Sequence, residues 1–308
     1  MNYLMPELAG RIFEQPLMMH PAKAAAALMA IGGRIVEGGV VLDGPLPVAH
    51  TAFEHGRPSM GRVSDRLGRA YDHEGTLPFD IVDRAAIIPV EGTLVHKGGY
   101  VGMSSGRTSY QGLQVQITRA ARAFGSGTIK GAVFEIDSFG GEVAGAFETA
   151  GLIRQLSAIM PTMAILTDHA LSSGYLLASG ARQIVMPKHG RAGSIGVIRL
   201  HVDQSLALEK NGIKVTVISA GKHKTDGNPF EPLAEETFTK MKADIEAMRI
   251  TFAEAVAAGR GNRLSMAAAL ATEAASFDGP EAVQLGLADA VGNAGEALAA
   301  FLKEINRA

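Results

Sequence analysis

Two apolar runs of strand length, residues 131–136 (G-A-V-F-E-I) and 162–166 (T-M-A-I-L), are each followed by a short turn and a segment of helical spacing. Apolar runs this continuous read as strands buried on both faces, and strands that alternate with helices read as parallel neighbours joined by right-handed crossovers. A third run, A-A-I-I-P-V at 85–90, leads through E-G-T-L-V into a second short strand, and Q-I-V-M at 183–186 adds another. These features confine the chain to an α/β class. In such sheets ligands bind beyond the carboxyl ends of the strands.

Two turns at those ends carry candidate chemistry. The stretch 167–180, T-D-H-A-L-S-S-G-Y-L-L-A-S-G, puts Ser172 and Ser173 where a strand gives way to a helix. A hydroxyl there stands beside the unpaired N–H groups of a helix start, where acyl transfer wants its nucleophile and oxyanion donors. A plain N-cap serine would give the same pattern. The other turn, Asp137-Ser-Phe-Gly140-Gly141-Glu142, lets backbone N–H groups approach a ligand with no side chain between. A tight turn needing two glycines reads identically.

Other motifs are weaker. Gly102-Met-Ser104-Ser-Gly106 matches the G-x-S-x-G nucleophile pattern, but no strand runs directly into it, so a loop is expected across 98–106. An alternating strand at 213–218 leads into Ser219-Ala-Gly-Lys222-His-Lys224-Thr-Asp226. Either lysine is an ordinary solvated charge or, buried against apolar walls, a general base for a serine. Ser219-x-x-Lys222 imitates S-x-x-K without its companion motifs. His169 and His223, with Asp137 or Asp168, leave a Ser-His-Asp triad arguable. No metal constellation such as H-E-x-x-H occurs, and no cofactor is expected.

Composition bounds the partners. The 308 residues include no cysteine, which excludes a disulfide framework, a thiolate metal site and a cysteine nucleophile. A net charge of −2 argues against a broad nucleic-acid surface. Neither a basic, apolar leader at the start nor a stretch of about 20 apolar residues is seen, so no membrane partner and a cytoplasmic location at synthesis are expected. The organisation expected is an accessory arm over 1–80, a catalytic domain over 81–295 and a helical tail over 296–308. Within the arm, residues 21–31 read as a helix opened by proline, and 32–79 as irregular. Helices are also expected over 109–124, after the turn at 137–142, over 232–258, after Ser265, from Gly279 and over 294–305.

Taken in order, Asp137-Ser-Phe-Gly-Gly, Ala170-Leu-Ser172-Ser-Gly-Tyr, Gly193-Ser-Ile-Gly-Val, Gly221-Lys-His-Lys224 and the segment Phe277 to Asp289 resemble the S49 family of serine peptidases. The opening, Arg11-Ile-Phe and Pro16-Leu-Met-Met-His-Pro-Ala-Lys23, resembles its phage head-maturation branch. The resemblance implies a ClpP/crotonase-type fold of repeated ββα units and a Ser/Lys dyad, with Ser172 as nucleophile and Lys224 as general base. It implies oxyanion donors among Gly140, Gly141 and Ser173, and substrate contacts from Gly193, Ser194, Ile195 and Gly196. It also implies a ring- or dome-like homo-oligomer inside a procapsid, cutting scaffold, portal or itself, with small side chains beside the cut bond. Whether serine and lysine come from one subunit or two is left open. The family's usual N-S-P-G-G has aspartate and phenylalanine here, and Ser173 stands where relatives carry glycine or alanine. A signal-peptide-peptidase-like protease, an acyl-CoA enzyme of the same fold and an inactive procapsid protein are the alternative functions.

Overall fold

A computed structural model describes residues 15–25, 65–104 and 106–307. Within them, 18–20, 65–104, 106–196 and 249–307 form a larger compact unit, and 15–17, 21–25 and 197–248 a smaller one.

In chain order, a short strand β1 (Leu17–Met19) is followed by helix α1 (Arg66–Glu74) and strands β2 (Asp80–Val82), β3 (Ala85–Glu91) and β4 (Thr93–Val95). A hairpin, β5 (Met103–Ser104) with β6 (Arg107–Ser109), leads into helix α2 (Tyr110–Gly125). Then come β7 (Gly131–Ser138), β8 (Gly140–Glu142), helix α3 (Ala146–Ile159), β9 (Thr162–Leu171), helix α4 (Ser173–Ser179), β10 (Gln183–Met186) and β11 (Arg191–Gly193). Strands β3, β7 and β9 pair in parallel in one sheet, whereas β4 and β8 pair in parallel in another, ordered β1-β8-β4-β6-β5. The passages that start at β3 and β7 therefore each run from a strand of the first sheet to a strand of the second and on to a helix, the ββα pattern expected of a ClpP/crotonase-type fold, whereas β9 leads directly into α4.

The break between the two sheets has a local cause. Gly92 between β3 and β4 has φ 69°, and Gly140 at the start of β8 has φ 92°. Left-handed backbone is open to glycine at little cost and turns the chain out of the first sheet within one residue. Strand β7 is buried over most of its length, as its unbroken apolar run predicts. Strand β9 carries β10 along its first half and β11 along its second, both parallel.

Two expectations, on 32–79 and on 213–218, are corrected. The stretch 32–79 is not irregular throughout, because α1 forms within it. Only Leu67 of its apolar residues is deeply buried, and the helix is tied to α2 through Arg119, which is 3% exposed and pairs with Asp65 at 2.6 Å and Asp72 at 2.5 Å. The glycine-punctuated segment 192–198 is strand only as far as Gly193, since Gly193 and Ser194 take φ of 114° and 56° and turn the chain away. No ladder forms over 213–218 within the smaller unit. That segment is unpaired, with Ile213 and Val215 exposed and Ile218 92% exposed. The helix expected over 21–31 is present over 21–25, and the rest lies outside the described residues.

The smaller unit holds helix α5 (Ser205–Lys210), the 213–219 segment, a turn over 221–227, and the first part of helix α6 (Glu235–Arg260). Leu17 and Ile198 form an antiparallel bridge in this unit. The final turns of α6 belong to the larger unit and bury Phe252, Ala253 and Val256. There follow helix α7 (Met266–Ala271), strand β12 (Ser276–Asp278), helix α8 (Gly279–Gln284), strand β13 (Ala290–Val291) and helix α9 (Ala294–Arg307). The boundary expected at 296 falls inside α9. Its Ala297, Phe301 and Ile305, spaced i, i+4, i+8, pack on Ala85, Val133, Met163 and Ile165 of the sheet.

Candidate active site

The ends of β3, β7 and β9 are equivalent positions in the repeat. The first two carry Gly92 and Gly140. At the third stands Ser172, with φ 54° and ψ −124°. A side chain in that region strains the backbone by about 1–3 kcal/mol, and such strain persists only where surroundings hold it. Here the holding groups are visible. Ser172 N–H donates to the Gly193 carbonyl at 2.9 Å, and the Ser172 carbonyl accepts from Leu176 N–H at 3.0 Å. The result is a serine on a sharp strand-to-helix bend at the start of α4, with its Oγ 3.5 Å from the Gly196 carbonyl.

Ser173, the rival hydroxyl, sits inside the first turn of α4 and is fully buried. Its Oγ makes no hydrogen bond of good geometry. The Tyr110 hydroxyl lies close to it but is directed at the Glu142 carbonyl, 2.9 Å away, and burial pushes that phenol well above its ordinary range. Ser104 is excluded as an elbow serine. It lies in a two-residue strand of a hairpin, not between strand and helix.

The glycine turn faces Ser172. A methyl group added at Gly140 would collide with the Met18 carbonyl and lie 2.9 Å from Ser172 Cβ. Gly141 approaches the Leu94 backbone as closely. The Gly140 N–H donates to Ser138 Oγ at 3.1 Å, and Ser138 Oγ donates to the Gly92 carbonyl at 2.6 Å. Sequence reading missed this role of Ser138, which pins the turn; its place two residues before the glycine was the available signal. Phe139, where the resemblance would put proline, stacks edge-on between His20 and His169 at centroid distances of 6.1 and 4.8 Å.

The segment 193–196 wraps the serine from the other side. Ile195 is fully buried and Ser194 nearly so, with Ser194 N–H bonded to the Ala275 carbonyl. The ends of this segment, Gly193 and Gly196, thus contact Ser172, as does Gly140, with Ser194, Ile195 and Gly141 next to them in the chain. His169 is not bonded to Ser172. Asp168 Oδ1 is 3.4 Å from its Nδ1, out of hydrogen-bonding line.

The lysines belong to the smaller unit. Lys222 Nζ pairs with Glu236 at 2.5 Å, which raises its pKa and keeps it an ammonium. Lys224 is exposed in the turn after Gly221, whose carbonyl accepts its backbone N–H. His223 pairs with Asp226 at 3.0 Å.

The sequence pattern of Peptidase family S49 matches residues 154–306. Capsid assembly protease C of Escherichia phage lambda is 34% identical over 96% of this chain and 64% of its own length. Head-tail preconnector protein GP5 of Enterobacteria phage P21 is 35% identical over 96% of this chain and 56% of its own. The chain thus spans somewhat less than two thirds of these relatives. A putative protease of Methanocaldococcus jannaschii is 30% identical over 56% of this chain and 55% of that protein. The family match begins in α3 and takes in Ser172, the 193–196 segment and Lys224, and the phage relatives extend the likeness over nearly all the rest: the chain belongs to peptidase family S49.

Proposed function

We propose that this chain is a serine endopeptidase of phage head maturation, cutting scaffold, portal or its own copies through Ser172 and Lys224. The observation that carries the reading is the left-handed elbow at Ser172, where the two sister turns have glycine. Strain placed on a serine at a helix start, facing a glycine turn, gains a fold nothing structurally; a nucleophile needs it. Lys224, neutral, takes the Ser172 proton as Oγ attacks the scissile carbonyl. The oxyanion is held by the N–H groups of Gly141 and Ser173, while Gly140 N–H, engaged by Ser138, fixes the turn. The amine of the leaving fragment departs with the proton from the lysine. The acyl-serine is then cut by water that the same lysine activates.

A lysine base needs desolvation. Lys224 is exposed in the single chain, and so are Ile213, Val215, Ile218, Phe230 and Phe238 of the same unit. An apolar set of this size on one unit supports self-association, and a covering copy would supply the dry surroundings. Residues from about 81 onward form the peptidase proper, and the site works inside a procapsid. Among the described residues, no helix is long and apolar enough to cross a membrane. The test is labelling of purified protein with a fluorophosphonate, mapping of the modified peptide, and coexpression with scaffold and portal proteins. Modification at Ser172 and cleavage of a coexpressed protein are expected. A chain that does neither is a structural protein and not a peptidase.

A further inference from the structure

Three residues of the N-terminal segment, Met18–His20, belong to the larger unit although the residues on both sides belong to the smaller. They are seated against the glycine turn. Strand β1 is the edge strand of its sheet and its neighbour is β8, which begins at Gly140. His20 N–H donates to the Phe139 carbonyl at 2.9 Å. The Met18 carbonyl stands against Gly140, on the side that faces Ser172 Cβ, and the Met18 side chain is fully buried. Ser172 itself is 1% exposed.

A three-residue edge strand has few ladder bonds to hold it, and the strand it covers would otherwise offer unpaired N–H and C=O groups beside the serine. Such an edge takes up an extended peptide by strand addition: main-chain bonds give affinity and side-chain pockets give selectivity. We propose that the edge of β8 is the docking site of the substrate strand, and that Met18–His20 fills it in the resting chain as an internal, substrate-like occupant. This rests on the peptidase reading above and adds to it the substrate class: an extended peptide with an unbranched apolar side chain, like that of Met18, in the buried position beside Gly140. Access to Ser172 then requires the occupant to leave. The apparent affinity for any outside strand is lowered by the fraction of chains in which it has left.

The test is direct binding in a background that cannot cut. A fluorescein-labelled peptide with the sequence of residues 15–23, Gln-Pro-Leu-Met-Met-His-Pro-Ala-Lys, is titrated against the full chain carrying Ser172→Ala and read by anisotropy. His20→Pro is then added, which removes the N–H donated to Phe139. The double variant is expected to bind about tenfold tighter or more, and the same peptide with both methionines replaced by aspartate is expected not to compete. Equal affinity in the two chains, no binding in either, or competition by the aspartate peptide overturns the proposal. If circular dichroism shows His20→Pro unfolded, Met18→Asp takes its place with the same expected outcomes. Failure of the peptidase reading looks different: chains with Ser172 intact resist fluorophosphonate even with His20→Pro, whatever the peptide does.

Discussion

The Gly193 carbonyl accepts the backbone N–H of Ser172 at 2.9 Å, tying the end of β11 to the bend at the end of β9. This bond holds the serine in left-handed backbone from outside its own strand and helix. The Gly196 carbonyl, three residues on, lies 3.5 Å from its hydroxyl. The backbone geometry of Ser172 is therefore set by a segment more than twenty residues downstream.

Ser172→Ala is expected to lower hydrolysis of fluorescein-casein by about 10³-fold or more. Ser173→Ala, which removes a hydroxyl with no partner, leaves it within about threefold. The reverse ranking would exchange the roles of the two serines.

Lys224→Met is expected to abolish turnover, whereas Lys222→Met, which frees Glu236 at an exposed, solvent-screened site, leaves the denaturant midpoint essentially unmoved and spares activity. Rates for both variants, with denaturant midpoints, decide between them. An inactive but folded Lys222→Met chain would move the base assignment.

Gly140→Ala puts a methyl group into the Met18 carbonyl at a φ of 92°. The backbone cost alone is about 1–2 kcal/mol. Labelling of Ser172 by fluorophosphonate should slow at least tenfold while circular dichroism stays native; unchanged labelling would separate the turn from the chemistry.

Docking of Met18–His20 should weaken in mild acid. Burial, then Arg191, then His169 lowers the His20 pKa below 6.5, and Phe139 packs against both imidazoles, with Asp168 beside His169. A depressed base is bound best when neutral, so the contribution is complete above the undocked value near 6.5. It is lost as pH falls from there towards the docked value. Amide exchange at residues 18–20, corrected for intrinsic rates, should speed up below pH ~6.5 in wild type and stay flat in His20→Phe.

Asp289→Ala is expected to cost about 3 kcal/mol or more in urea unfolding, because it leaves the fully buried Arg260 guanidinium unpaired. Burial alone would raise the Asp289 pKa; the Arg260 hydrogen bond and charge, the Ile184 N–H and Arg263 bring it below 3.8. The stability it supplies is present above that value and disappears as pH drops through the folded pKa.

Much of this fold was legible in the chain itself. Continuous apolar runs announce β3, β7 and β9, and the turns after the last two mark the site, because burial on both faces and strand-end glycines are written into consecutive residues. Period and turn chemistry are local, so sequence alone determined the α/β class and the neighbourhood of Ser172. The local residues left Ser172 and Ser173 open, and the family resemblance favoured Ser172. Tertiary packing gives the two buried serines their different settings, Ser173 inside the first turn of α4 beside Tyr110 and Ser172 on a strained bend. Helix α1 escaped notice because its anchor is a buried arginine 47 and 54 positions from the aspartates it meets. The alternation over 213–218 promised a strand, but a strand needs a partner and none pairs with it among the described residues. Nor could the sequence place Met18 against Gly140, over a hundred positions apart. Ladder pairing and close backbone approach are properties of distant segments brought together, and only the tertiary structure decides them.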